Sequence, residues 1–223
     1  MKVLAGAGSN ATSEACDIAK FAQEIGANGI LSIAPYYNKP TQEGLYQHYK
    51  TIAQSVEIPF MLYNVPGRTG VDLLPETAIR LFDDVKNIYG IKEATGSLER
   101  ATAIISQREN FFVFSGDDSV DFAMLASGAK GIISVTSNLV PNLKSKLVSS
   151  VMSGDFQTAL KIHNDLFELN KVLFCESNPI PIKAAMYLSG LLDSLEFRLP
   201  LTKPSNETLE KLEKILKKYE VVK

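Results

Sequence analysis

The stretch Ile88-Tyr89-Gly90-Ile91-Lys92-Glu93-Ala94-Thr95-Gly96 decides how the rest of the chain is read. An apolar run of strand type ends there in a lysine, and small residues with a closing glycine lead into the next polar segment. Such a lysine stands at the open end of a buried strand. Desolvation there disfavours the ammonium form and lowers the pKa, which turns the amine into a nucleophile toward carbonyl carbon at neutral pH.

Outward from this stretch, short apolar runs alternate with amphipathic helical patterns. Strands are predicted over residues 3–6, 29–35, 60–63, 87–92, 111–115 and 131–135. Helices are predicted over 12–25, 41–56, 75–82, 98–106 and 120–127. Thr12 or Ser13 is expected to cap the first helix, with Ala15, Ile18, Ala19 and Phe21 as its inner stripe. From about residue 141 the strands stop, and helical patterns follow over 141–152, 156–174, 181–188 and 207–219. The last of these, with its Glu-Lys pairs, reads as a solvated face.

Continuous rather than alternating apolar strands argue for a parallel sheet covered on both sides. No GxGxxG or GxxxxGK[ST] motif follows any strand, so a nucleotide-binding open sheet has no support. Polar residues recur instead at the carboxyl ends of the strands: Tyr36 and Tyr37, Tyr63 and Asn64, Lys92, Ser115 to Asp117, Ser134 and Thr136. In a (β/α) barrel those ends converge on one mouth, where such enzymes carry their chemistry. The expected fold is therefore α/β, of (β/α)8 TIM-barrel type, incomplete with six βα units. A partial barrel over residues 1–152 and a C-terminal helical extension over 153–223 are expected.

Composition narrows the chemistry further. With 223 residues, 45% apolar residues and 23 Lys+Arg against 25 Asp+Glu, the chain has ample core and no charge excess. Neither nucleic acid nor a membrane surface is implied as a partner. Cys16 and Cys175 form no metal or redox spacing, and no signal peptide or run of about 18 apolar residues is present, so a cytoplasmic location is expected. Two histidines, His48 and His163, each in a polar helical context, give a histidine triad or zinc site little to build on. Chemistry is pushed toward lysine, tyrosine and carboxylates. Tyr63 ends a neighbouring strand, and a phenol beside an amine is a suitable proton shuttle for making and hydrolysing a Schiff base. Arg68, fixed by Pro66 and Gly67, offers a planar fork for a substrate carboxylate.

The segments APYYNKP (34–40), YNVPGRTG (63–70), GIKEATG (90–96), FSGDD (114–118) and GIISVT (131–136), in this order, resemble the dihydrodipicolinate synthase family of the pyruvate-dependent class I aldolase group. The resemblance implies condensation of pyruvate with aspartate semialdehyde to 4-hydroxy-tetrahydrodipicolinate in lysine (diaminopimelate) biosynthesis, without metal or organic cofactor. It implies that Lys92 forms the imine with pyruvate and that Tyr63 relays protons. Arg68 would hold the carboxylate of the aldehyde, Gly116 and Ile133 would supply backbone contacts near pyruvate, and Thr95 would join the substrate-binding set. Tyr37 matches the tyrosine inserted into a partner subunit's site, which implies a homodimer or homotetramer. Asn10, Glu14 and Tyr36 match part of an interface site where lysine inhibits some members. N-acetylneuraminate lyase and the keto-sugar-acid lyases share the lysine and tyrosine; the Gly67-Arg68 pair and residues 115–118 favour the synthase.

The same resemblance places the start of the family's barrel two βα units before Met1, including a Gly-Thr-Thr-Gly-Glu segment whose threonines bind the pyruvate carboxylate. Six strands alone are expected to leave two unpaired edges and an opened apolar interior. A truncated, non-catalytic paralogue is the alternative that this departure raises.

Overall fold

All six apolar runs form strands and alternate with helices along residues 1–219, which the computed structural model describes. The chain runs through β1 (Leu4–Gly6), α1 (Thr12–Glu24), β2 (Gly29–Ile33), α2 (Gln42–Gln54), β3 (Phe60–Asn64) and the single turn α3 (Pro66–Thr69). It continues through α4 (Pro75–Asp84), β4 (Ile88–Glu93), α5 (Leu98–Ile105), β5 (Phe112–Ser115), α6 (Asp121–Ala126) and β6 (Gly131–Ile132). After a 3-10 turn at Thr136–Asn138 come α7 (Pro141–Met152), α8 (Phe156–Asp165), α9 (Phe167–Val172), α10 (Ile180–Leu188) and α11 (Asn206–Lys218). These residues form two compact units, Met1–Asp117 with Ala123–Ile133, and Asp118–Phe122 with the residues from Ser134 onward.

The first unit is built on one all-parallel sheet in the order β1-β2-β3-β4-β5-β6, every strand lying beside its neighbour in sequence. Parallel strands wound in sequential order with intervening helices are the winding of a (β/α) barrel, and six of its strands are present among the described residues. Register sorts the side chains into two faces. One continuous row reads Ile33, Tyr63, Lys92, Phe114, Gly131. The alternate row Ser32, Leu62, Ile91, Val113 is no more than 1% exposed. Burying Leu62 and Ile91 contributes about 2–3 kcal/mol each. Within the first row, a Cβ at Gly131 would lie 2.9 Å from two carbons of the Phe114 ring, so the ring fills the place of the missing side chain.

Local signals place the helices around this sheet. Thr41 caps α2, its Oγ1 accepting from Gly44 N, and Pro75 opens α4 at a position where no amide is needed. The first helix departs from expectation. Its cap is Ala11, with no side-chain cap; Ser9 Oγ accepts from Ala11 N at 3.2 Å and donates to Glu14 at 2.7 Å. Its buried stripe is Ala15, Ala19 and Ala22, spaced by four and three residues, while Ile18 is 41% and Phe21 59% exposed. Small side chains let the helix close on its neighbours, and the bulky apolar residues take the outer flank. His48 is buried rather than on a polar face: its Nδ1 meets Thr12 Oγ1 at 2.9 Å, and burial lowers its pKa to about 4, so the ring is neutral.

In the second unit the amides of Val135 and Thr136 bond the Asp118 carboxylate at 2.8 and 3.2 Å, and Ser134 Oγ donates to the same group. Those donors are used there, so the strand expected over 131–135 ends at Ile132. Lys144, 2% exposed, places its Nζ 2.6 Å from both Asp118 and Asp121. Burial alone would raise the Asp118 carboxyl; Lys144 and the Ser134 and Thr136 bonds outweigh it and hold the group below the usual carboxylate range. The helix expected over 156–174 is two, with Leu166 between α8 and α9. The last helix, α11, is more than a solvated face: it buries Thr208, Leu212 and Leu216 at four-residue spacing and packs on α9 and α10.

Candidate active site

Lys92 is the next-to-last residue of β4 and pairs in register with Tyr63, the next-to-last of β3. Parallel pairing puts both side chains on the same face, and the amine lies 4.1 Å from the centroid of the Tyr63 ring. Both residues are half-buried. Burial raises the Tyr63 phenol, and the Arg68 guanidinium offsets this only in part, so the hydroxyl stays protonated through neutral pH and is available as a donor. The aliphatic stem of Lys92 runs over Gly116. A Cβ at that residue would come within 2.7 Å of Lys92 Cε, 3.1 Å of its Cγ and 2.8 Å of Ala94 Cβ. The glycine leaves room for the lysine.

The remaining expected residues gather around this pair to different degrees. Gly116 N donates to Glu93 O at 2.9 Å and Ile133 N to Ser115 O at 2.8 Å, so the two backbones are tied to the ends of β4 and β5. Thr95 N donates to Glu93 Oε1 at 3.0 Å, and Thr95 Oγ1 accepts from Ser97 N at 3.2 Å; the residue shapes the turn after Lys92. Arg68 sits in α3, between Pro66 and the left-handed Gly70 at φ 74, and its side chain is exposed. Its field reaches the Tyr63 phenol.

Tyr37 is 89% exposed, so its ring makes almost no contact within the chain and is not part of the Lys92–Tyr63 cluster. Its backbone is held at φ 76, with its amide donating to Thr69 O at 3.2 Å. Asn10 donates to Tyr36 O at 3.1 Å and Asn38 returns a bond to Asn10 O at 2.9 Å, locking the loop after β2 to the loop before α1. Glu14 joins that neighbourhood through Ser9. Asn10, Glu14 and Tyr36 therefore share one surface.

On the opposite face of β3 and β4 lies a polar layer of which the sequence reading includes Asn64 and Ser115 as strand-end residues but not Glu93, Arg100 or Asp72. Asn64, Glu93 and Ser115 form the register row one step beyond Lys92, and all three are fully buried. Arg100 of α5 donates to Glu93 at 3.3 Å, to Asp72 at 3.0 Å and to Leu73 O at 2.5 Å. The signal was present: a residue following Lys92 in a strand must point to the other face, and a carboxylate there needs a cation.

Comparison with known proteins identifies the family. The sequence profile of the Dihydrodipicolinate synthetase family matches residues 1–219. The 4-hydroxy-tetrahydrodipicolinate synthase of Aliarcobacter butzleri (strain RM4018) is 85% identical over 223 residues, covering all of this chain and 76% of the relative. Among solved structures, dihydrodipicolinate synthase from Aquifex aeolicus superposes with a TM-score of 0.97 at 47% identity, over 100% of this chain and 76% of that one. The chloride-inhibited dihydrodipicolinate synthase from Acinetobacter baumannii, solved in complex with pyruvate, gives 0.96 at 46% identity over the same shares. Matched along its length at these identities, the chain that carries this lysine and tyrosine belongs to the dihydrodipicolinate synthetase family.

Proposed function

We propose that the chain acts as a 4-hydroxy-tetrahydrodipicolinate synthase, a Schiff-base lyase that condenses pyruvate with aspartate semialdehyde in lysine biosynthesis. One observation carries the reading: the Lys92 amine, its stem bedded on Gly116, lies over the Tyr63 ring at the carboxyl ends of two paired strands. In its neutral form the amine attacks the ketone carbon of pyruvate, and loss of water gives an iminium. That cation is the electron sink: a proton leaves the methyl carbon, and the resulting enamine attacks the aldehyde carbon of the second substrate. Tyr63, protonated at neutral pH, supplies the proton that the developing alkoxide needs. Attack of the substrate's own amine on the imine carbon closes the ring and returns Lys92.

The positions of the other residues support the following roles. Arg68, exposed on its short turn, clamps the carboxylate of the aldehyde, with Gly116, Ile133 and Thr95 framing pyruvate. An exposed Tyr37 suits insertion into the site of a second copy, in a homodimer or homotetramer, and the Asn10, Glu14 and Tyr36 surface suits lysine as an inhibitor. A cytoplasmic location fits a biosynthetic enzyme of this type.

The test separates the two substrates. Borohydride in the presence of pyruvate should reduce an adduct onto Lys92, found by peptide mass mapping and absent in Lys92→Met. Arg68→Ala should lower condensation about 10²-fold while trapping of pyruvate survives. Equal loss of both steps in a folded Arg68→Ala protein would refute this division of roles.

A further inference from the structure

The loop that carries Arg68 leaves β3 at Asn64 and is gathered back at Leu73. Asn64 closes it: its Oδ1 accepts from Leu73 N at 3.0 Å and its Nδ2 donates to Asp72 Oδ1 at 2.9 Å. Arg100 then bolts the same end to β4, one guanidinium spanning Asp72, Leu73 O and the fully buried Glu93. Near its middle the loop is fixed a second time. Thr69 O accepts from Tyr37 N at 3.2 Å, and Thr69 Oγ1 donates to Val65 O at 3.3 Å and Val71 O at 2.9 Å. Arg68, exposed, lies in the chain between Asn64 and Thr69.

We infer that Asp72, Arg100 and Glu93 are positioning residues that set the Arg68 loop against the end of β4, and so govern capture of the second substrate without acting on the first step at Lys92. The inference rests on the synthase reading above. A buried carboxylate is a poor choice for stability alone, since charge desolvation offsets much of what the pair returns, and the apolar row Leu62, Ile91, Val113 fills the same layer one step back. What the charges add is geometry. A guanidinium that gives each of its three nitrogens to a different acceptor fixes direction as well as distance, and a 1 Å error in a substrate clamp costs up to about 10²-fold.

Asp72 is the place to test this, because its side chain is 39% exposed and its removal leaves Glu93 paired with Arg100. In Asp72→Ala the half-saturating concentration of aspartate semialdehyde should rise about tenfold, while borohydride trapping of pyruvate on Lys92 stays within about twofold. In an Arg68→Ala background the Asp72→Ala effect should vanish, because its object is gone. Equal impairment of both substrates, or the same Asp72→Ala effect with Arg68 absent, would overturn the inference. A wild-type chain that never traps pyruvate would refute the synthase reading instead. Amide hydrogen exchange decides the clamp independently of turnover: residues 70–73 should exchange about tenfold or more faster in Asp72→Ala, and unchanged protection would overturn it.

Discussion

Gly116→Ala is the sharpest probe of the Lys92 seat. Gly116 is not among the glycines held in the left-handed region, so alanine meets no backbone penalty and the effect is purely steric. Its methyl would approach Lys92 Cε to 2.7 Å and Ala94 Cβ to 2.8 Å, against an optimal carbon–carbon separation of about 3.5–4.0 Å. Ala94 Cβ is fixed to the backbone, so relief falls on the lysine stem, which must recede by roughly 1 Å. Overpacking of this kind costs about 1–3 kcal/mol of stability. The larger consequence is kinetic: a 1 Å misplacement of the nucleophile should slow imine formation about 10²-fold, or ~2.7 kcal/mol in the barrier. The assay is a time-resolved borohydride quench with pyruvate, following reduced adduct on the Lys92 peptide, beside a thermal melt that confirms a folded variant. Adduct forming at the wild-type rate in folded Gly116→Ala would refute the claim that this glycine exists to seat the lysine.

Two further outcomes concern stability. Lys144→Met leaves the buried carboxylates of Asp118 and Asp121 without their shared cation, and should lower the urea midpoint by the equivalent of about 3–5 kcal/mol; a loss under about 1 kcal/mol would mean the cluster relaxes into solvent. His48 has a folded pKa of about 4 against an unfolded value near 6.5, so as pH falls through that window the unfolded chain takes the proton first. The His48 contribution to stability should therefore decline between about pH 6.5 and 4, by on the order of 3 kcal/mol, and level off below. His48→Gln should flatten that part of the melting-temperature profile, and parallel profiles for the two proteins would contradict the assignment.

What the sequence made legible follows from periodicity and punctuation. Pro75, Thr41 and the run ending at Lys92 each act locally, so the strand and helix order, the parallel sheet and the pairing of Lys92 with Tyr63 could be read before any coordinates. Features that depend on who faces whom could not. Ile18 and Phe21 look like core by composition, yet three alanines take the inner stripe because only small side chains fit the close approach. His48 sits among polar residues in sequence but turns its ring inward to Thr12. The Glu93–Arg100–Asp72 layer draws on a strand, a helix and a loop, separated by up to 28 positions, so the strand pattern shows that Glu93 needs a cation but not which one. In the same way, β6 ends early because Asp118, more than a dozen residues upstream, competes for its next amides.

The Phe114 ring standing where residue 131 has no side chain binds the fates of two positions. A methyl at 131 collides with ring carbons at 2.9 Å, and a smaller residue at 114 leaves bare backbone facing a void. Neither site can drift alone, so mutational paths through this lining must pass by coordinated exchange. Anyone reshaping the sheet face beside the reactive amine for a bulkier donor should diversify 114 and 131 as a single combinatorial unit.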